Sequence, residues 1–218
     1  MLLTWSPSNG LQAVVALSPQ AWFRYGIGIT VTGAGVSTWA DQSGNSRDLL
    51  QGTDAARPAL QADGSILFDG VDDLISASGF TLTLPYTIYL LGRQVSWTGN
   101  DRIFSGTSGS DVVGTQVGAS PDVTFSSGGT SSTTEWLVGV YAALAIVFDA
   151  VDITVRVNNN APSVGSGATN NMEGFQLAVY TDGAQQFGNI QYKEVILYSG
   201  AHTTTQQSQV INYLSRML

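Results

Sequence analysis

From Val151 to Val157 apolar and polar residues alternate, with Val151, Ile153, Val155 and Val157 set against Asp152, Thr154 and Arg156. A period of two puts one face of a strand in a core and the other in water. Trp136 to Val140 and Ala142 to Phe148 are instead near-continuous apolar runs, as expected of strands covered on both faces. Further strand candidates are Ile66 to Phe68 before the turn Asp69-Gly70, Leu74-Ile75, Tyr86 to Gly92 after Pro85, Arg102 to Phe104, Asp111 to Val117, Phe175 to Thr181 and Ile190 to Tyr198. They recur about every 10–15 residues without helical segments between them, which predicts an all-β fold, an antiparallel β-sandwich of the jelly-roll kind. The connections Ser105 to Ser110, Ser126 to Thr134 and Pro162 to Asn171 are Gly/Ser-rich loops too short to separate domains.

A short C-terminal helix closes the chain. Thr203 can cap it and Gln206 completes a capping box. Val210, Leu214, Met217 and Leu218 then form an apolar stripe, with Ile211 beside it. At the other end, Pro7, Asn9-Gly10 and Ser18-Pro19 are turn signals around the apolar stretch Leu11 to Leu17. Residues 1–18 therefore read in two ways. They are an extension whose Leu3, Trp5, Val14, Val15 and Leu17 dock on a neighbouring subunit, or the first strand of the chain's own sandwich. Residues 19–218 form one domain.

Composition narrows the function. The 218 residues are 43% hydrophobic, with no cysteine, one histidine and a formal charge of −8. Thiolate chemistry and multi-histidine metal sites are thereby excluded within one chain. The acidic balance argues against a nucleic-acid binder and against docking on an anionic membrane. Met1 to Pro7 has no basic residue and no apolar core of a signal peptide, and the run Tyr141 to Phe148 is far short of a membrane span.

Three segments go further than a generic sandwich pattern: Trp39-Ala40-Asp41-Gln42-Ser43-Gly44-Asn45, then Phe68-Asp69-Gly70-Val71-Asp72-Asp73, and late in the chain Lys193-Glu194-Val195, followed by the terminal helix. In this order, over residues 19 to 216, they resemble the concanavalin A-like lectin/glucanase superfamily, in its laminin-G-like jelly-roll branch. The chain departs from that pattern at Asn158-Asn159-Asn160, where Asn-Gly is common, and at Tyr192-Lys193 before Glu194. The resemblance implies a domain of the kind found in bacteriophage virion proteins and secreted bacterial proteins, binding glycans or other macromolecules without catalysis. It also brings in calcium, for which Asp41, Asn45, Asp69 and Asp72 supply the hard oxygen donors if their two loops meet. Each motif has a structural reading beside this one. Trp39 plugs the core edge, Asp41 and Ser43 hold backbone N–H groups of a tight turn, and Glu194 pairs with an arginine or accepts backbone N–H bonds.

Enzyme chemistry finds little support. A glycosidase needs two carboxyls about 5–10 Å apart, and Glu135, Glu173 and Glu194 are scattered along the chain. Asp72 and Asp73, as neighbours on a strand, would face opposite sides, which leaves Asp149/Asp152. His202 has no G-x-S-x-G nucleophile to serve. The expectation is no catalytic residue. For glycan binding the candidates are Trp97, Asn100, Asp101 and Tyr180, with Trp136, Tyr192 and Asn171 behind them. Trp97 stands in the polar turn Ser96-Trp97-Thr98-Gly99-Asn100, where an exposed aromatic ring needs a reason. Trp136, ahead of an apolar run, reads as core.

The expected function is therefore a non-enzymatic bacteriophage virion surface protein, decorating a capsid or forming a fibre, that contacts host-surface polysaccharide. Its partners are other virion proteins and further copies of itself, with no cofactor apart from calcium. One alternative is a cement protein without ligand. The other is a secreted, extracellular carbohydrate-binding module or polysaccharide-degrading enzyme.

Overall fold

A computed structural model describes residues 7–107 and 112–218. Leu3, Trp5 and the stretch 108–111 of the expected Ser105 to Ser110 loop and Asp111 to Val117 strand lie outside the described residues. The strands are β1 (Ala21–Phe23), β2 (Ile29–Thr32), β3 (Gly35–Trp39), β4 (Leu49–Leu50), β5 (Ala59–Leu60), β6 (Ile66–Leu67), β7 (Ile75–Leu82), β8 (Tyr86–Gln94) and β9 (Arg102–Ser105) in the first half. The second half adds β10 (Val112–Gln116), β11 (Val123–Ser127), β12 (Gly129–Thr133), β13 (Ala142–Phe148), β14 (Ile153–Val157), β15 (Ser163–Val164), β16 (Met172–Leu177) and β17 (Ile190–Ser199). Helix α1 (Pro7–Ala16) precedes them and α2 (Thr204–Leu214) follows.

Two antiparallel sheets result. One runs β15-β14-β13-β8-β17-β6-β5, with β1 also on β17; the other runs β12-β11-β10-β9-β16-β7-β4-β3-β2. The chain is thus an all-β sandwich with a short C-terminal helix. Strand periodicity sorts the side chains of the first sheet. Ile88, Leu90, Leu144, Ile146, Val195 and Leu197 face the second sheet and enter the main core with Phe104, Phe125 and Phe175. The intervening Tyr89, Leu91, Ala143, Ala145, Ile196 and Tyr198 form a second core with Trp22, Val14 of α1 and Val210, Ile211 and Leu214 of α2. Ala142 to Phe148 is therefore apolar throughout because a sheet covers one face and helices cover the other.

The capping box of α2 forms as the sequence predicts, with Thr203 accepting from the Gln206 backbone and Gln206 accepting from Thr203 N–H. Its apolar stripe forms except at the last residue: the chain turns to a 3-10 helix after Leu214, Met217 still packs on the second core, and Leu218 is exposed. Residues 7–16 are neither strand nor free arm. Leu11, Val14 and Leu17 stand three apart, a helical period, and pack on the second core of the same chain. Tyr198 fixes the helix by donating its hydroxyl to the Val14 carbonyl at 3.2 Å. Trp136 to Val140 is not a strand: Trp136 is buried, as expected, but the residues after it turn. The expected loop Ser126 to Thr134 holds the end of β11 and all of β12, in register from Val123↔Thr133 to Ser127↔Gly129. Ser and Thr fill these strands, so no apolar run announces them.

Two carboxylates anchor β1, one of them from the other sheet. Asp41 accepts from the backbone N–H of Trp22 (2.8 Å), Ser43 (2.8 Å) and Arg47 (3.1 Å), and from the Ser43 hydroxyl. Glu194, almost wholly buried, accepts from the Trp22 indole at 2.6 Å and from Tyr25 N–H at 3.3 Å. Burial raises its pKa, and bonds from Trp22, Tyr213 and Tyr25 oppose that rise. Both therefore hold the β1 segment against the sheet.

At one edge the sheets are stitched together. Ser166 N–H donates to Thr130 O at 3.0 Å, and Thr130 N–H donates to the Ser166 hydroxyl at 2.9 Å. A Cβ on Gly129 would lie 2.1 Å from Gly167 O and 2.6 Å from Ser166 O, both rigid backbone atoms. Gly129→Ala is expected to destabilise the fold by about 2–3 kcal/mol in urea unfolding; a loss below about 0.5 kcal/mol would mean that this edge opens freely.

Candidate functional site

Three connections meet at one end of the sandwich: residues 95–101 after β8, 117–122 after β10 and 178–189 after β16. Two buried glutamines tie the first to β10. Gln94 donates to Trp136 O at 2.5 Å, and Gln116 donates to Gln94 Oε1 at 2.6 Å and to Ser96 O at 2.9 Å. Gln116 also accepts from Thr98 N–H at 2.9 Å. Within this frame Trp97 is half-buried and donates its indole N–H to Asp122 O at 3.3 Å. Asn100 is exposed, and its N–H donates to Gln116 O at 2.8 Å. Asp101 is half-buried, and burial raises its pKa against a bond from Thr98.

Arg102 links this group to Tyr180. Its guanidinium lies 4.7 Å from the Tyr180 ring centroid, and it also donates to the Thr115 hydroxyl. Its backbone N–H donates to Gln186 O at 3.0 Å. The four expected residues Trp97, Asn100, Asp101 and Tyr180 thus sit on connections joined by Arg102 and Gln116. Arg102 and Gln186 were not foreseen, and no motif around them signals a role. Tyr192, by contrast, is wholly buried and donates to Ile103 O, and Asn171 accepts from Leu84 N–H; neither belongs to this group.

This end also concentrates strain. Among the described residues six non-glycines adopt positive φ, and three of them are here: Asn100 (77°), Ala178 (61°) and Gln186 (57°). Left-handed backbone costs roughly 1–3 kcal/mol for such residues and gathers at functional sites. Three of the five buried side-chain atoms without a hydrogen-bond partner among the described residues are here as well: Arg102 Nε, Gln186 Oε1 and Asp122 Oδ1. Aromatic faces beside amide, carboxyl and guanidinium groups are the chemistry that recognises hydroxyl-rich ligands.

The expected calcium set does not assemble. Both Asp41 oxygens are engaged in its own turn. Asn45 donates its amide to Pro19 O and Gln20 O. What converges is Asp69, Asp72 and Asp73, with ligand oxygens within 4.8 Å of one another. Asp72 and Asp73 do not face opposite sides, because residues 69–74 form a bend ahead of β7 and strand alternation does not apply. Asp73 also accepts from Asp69 N–H at 3.0 Å. Burial, with the Asp69 and Asp72 charges behind it, raises the Asp73 pKa to about 6.

The single histidine lies elsewhere. His202 is buried, with Nδ1 2.8 Å from the Tyr89 hydroxyl, and burial lowers its pKa to about 4. It lines a concavity of about 340 Å³ with Asp149 and Asp152. Of the glutamates, Glu194 is committed to Trp22, and Glu135 accepts from Asn160 at 3.1 Å.

No protein-family model matches the chain, and neither does any curated protein. Solved structures do. Trypanosoma rangeli sialidase in complex with 2,3-difluorosialic acid aligns with a TM-score of 0.64 at 14% identity, over 91% of this chain and 33% of that one. The botulinum neurotoxin type G receptor-binding domain aligns with a TM-score of 0.62 at 10% identity, over 89% and 51%. Botulinum neurotoxin type C, which depends on two ganglioside molecules to enter cells, aligns with a TM-score of 0.65 at 8% identity, over 94% and 53%. The chain spans about a third of the sialidase and about half of the neurotoxin chains, and the likeness is one of fold.

Asp73 and His202 act oppositely on stability. Asp73 binds its proton more tightly folded than unfolded, so it stabilises increasingly as pH falls from about 6 toward 4. His202 binds its proton less tightly folded, so its contribution is full above about 6.5 and is lost as pH falls toward 4. Asp73→Asn keeps the acceptor for Asp69 N–H. It is expected to add about 1–2 kcal/mol at pH 7, after screening of the exposed Asp69 and Asp72 charges, and nothing at pH 4. Urea unfolding at the two pH values checks this; an equal effect at both would remove the buried, charge-crowded Asp73 carboxylate from the account.

Proposed function

We propose that this chain is a non-enzymatic carbohydrate-binding domain that holds host-surface polysaccharide through the Trp97, Asn100, Asp101 and Tyr180 end of the sandwich. The observation that carries this reading is the coincidence there of a half-exposed indole, three left-handed non-glycine residues and buried polar atoms of Arg102 and Gln186 that no described residue satisfies. The fold likeness to sialidase and to neurotoxins, one of which interacts with gangliosides, supports it at the level of ligand class. The Trp39 to Asn45, Phe68 to Asp73 and Glu194-Val195 motifs support the finer assignment to the concanavalin A-like, laminin-G-like kind.

The setting we propose is the surface of a bacteriophage virion, as a capsid decoration or fibre, among other virion proteins and in several copies. Weak sites gain avidity when many copies sit on one particle. The motif resemblance, and not the fold likeness, supports this part. A cement role without ligand uses the same fold and makes the opposite prediction for glycan binding. Non-enzymatic function rests on the scattering of the glutamates and on the commitment of Glu194 to Trp22. Asp69, Asp72 and Asp73 offer only oxygen, a donor set suited to calcium and not to zinc or copper. A melting temperature unmoved by a chelator takes calcium out of the reading.

The test is a screen of bacterial polysaccharides with the wild type and Trp97→Ala. Binding by the wild type, weakened about tenfold or more in Trp97→Ala at unchanged melting temperature, is expected, since tenfold is about 1.4 kcal/mol and corresponds to burying about 55 Å² of apolar surface between a sugar face and the indole. Failure of the wild type to bind any polysaccharide would favour the cement role.

A further inference from the structure

Helix α1 ends against the turn that follows β3, and a cleft of about 310 Å³ opens between them. Ser18, Gln20, Gln42, Ser43 and Asn45 line it, with Val15, Pro19 and the edge of Trp22. No lining side chain is ionisable, although the chain carries a formal charge of −8. The volume falls at the lower end of the roughly 300–1,000 Å³ typical of small-molecule sites. None of these residues belongs to the Trp97 end.

The polar groups are pre-oriented. Asn45 is held by its amide on Pro19 O at 3.2 Å and Gln20 O at 3.0 Å. The Ser43 hydroxyl is held by Asp41 Oδ2 at 2.8 Å. Gln20 accepts from Arg47 Nη1 at 3.2 Å, and Gln42 donates to Ala40 O at 3.0 Å. Each of the three amides is thus fixed through one end. Among the described residues, no partner meets Asn45 Oδ1, Gln42 Oε1 or Gln20 Nε2. Two acceptors and a donor are left beside an apolar floor.

Ser18 adds an independent sign. It follows α1 with φ 55°, at the position where helices usually end in glycine. A serine there carries a backbone cost that glycine avoids. Its hydroxyl has no partner among the described residues, yet the residue lines the cleft. A purely structural helix end gains nothing from that side chain.

We propose that this cleft is a second binding site, for one ring of a neutral polyhydroxylated ligand such as a hexose unit of a glycan. Its donors and acceptors are the Ser18 hydroxyl and the free ends of Gln20, Gln42 and Asn45, with Val15 and the edges of Pro19 and Trp22 against the ring's apolar face. It shares its ligand class with the proposed function but stands on separate residues.

The test is an NMR titration of the full chain with D-glucose, D-galactose, D-mannose and N-acetyl-D-glucosamine in turn, at millimolar concentrations. Saturable shifts of the Ser43 and Asn45 amides and of the Trp22 indole N–H are expected with at least one sugar. Ser18→Gly is expected to raise the melting temperature while weakening that binding about threefold or more, the cost of one neutral hydrogen bond. Gln42→Ala should weaken it similarly, and Trp97→Ala should leave it unchanged. Absence of saturable shifts with all four sugars, unchanged affinity in both Ser18→Gly and Gln42→Ala, or loss of the shifts in Trp97→Ala would each overturn the second site. Shifts here with none around Trp97 would instead count against the proposed function alone.

Discussion

The ladder β13-β8-β17 has to exclude water from both faces at once. Tyr86 to Leu91, Ala142 to Phe148 and Ile190 to Tyr198 are buried along their whole lengths. One face needs the second sheet and the other needs α1, α2 and Trp22, so neither helix is an ornament on a finished sandwich. Burying a large apolar side chain is worth about 1.5–3 kcal/mol, and exposing this outer face would uncover Tyr89, Leu91, Ile196 and Tyr198 together. Helices α1 and α2 meet on that face, which couples the first described elements of the sequence to the last.

Acidic side chains do much of the joining. Asp41 and Glu194 both bond Trp22, one at its backbone and the other at its indole. They sit in two of the three motifs that stand out in the sequence. In this fold their first task is to anchor β1 and the turn after Trp39. That turn in turn shapes the cleft at the end of α1, so a structural carboxylate prepares a surface it does not itself present. The Trp97 end is built differently, from buried glutamines, left-handed residues and one arginine against a tyrosine ring.

Much of this was legible in the sequence. Period-two alternation and continuous apolar runs marked β8, β13, β14 and β17, and the capping box marked α2. Trp39, Trp136, Asp41 and Ser43 take the structural roles their contexts suggested. The polar strands β11 and β12 were hidden because serine and threonine serve both strands and loops, and only cross-strand register separates the two. The turn after Trp136 was hidden for the converse reason, since apolar residues beside a core do not need to be extended. Helix α1 and the residue after it carry the helical spacing Leu11, Val14 and Leu17, but turn-forming neighbours obscured it. The Asp69, Asp72 and Asp73 group depends on a bend whose geometry spacing alone does not reveal. Gln186 and Arg102 meet from distant parts of the chain, so no local pattern could pair them.

Native-state hydrogen exchange tests the doubly covered ladder most directly. If helices and second sheet together keep it dry, the amides of β8, β13 and β17 exchange only through global unfolding, with the free energy measured in denaturant, while those of edge strand β2 open earlier. Exchange of Tyr89, Ala145 or Ile196 amides at free energies well below the global value would mean that the helical layer lifts away on its own, and would contradict the account.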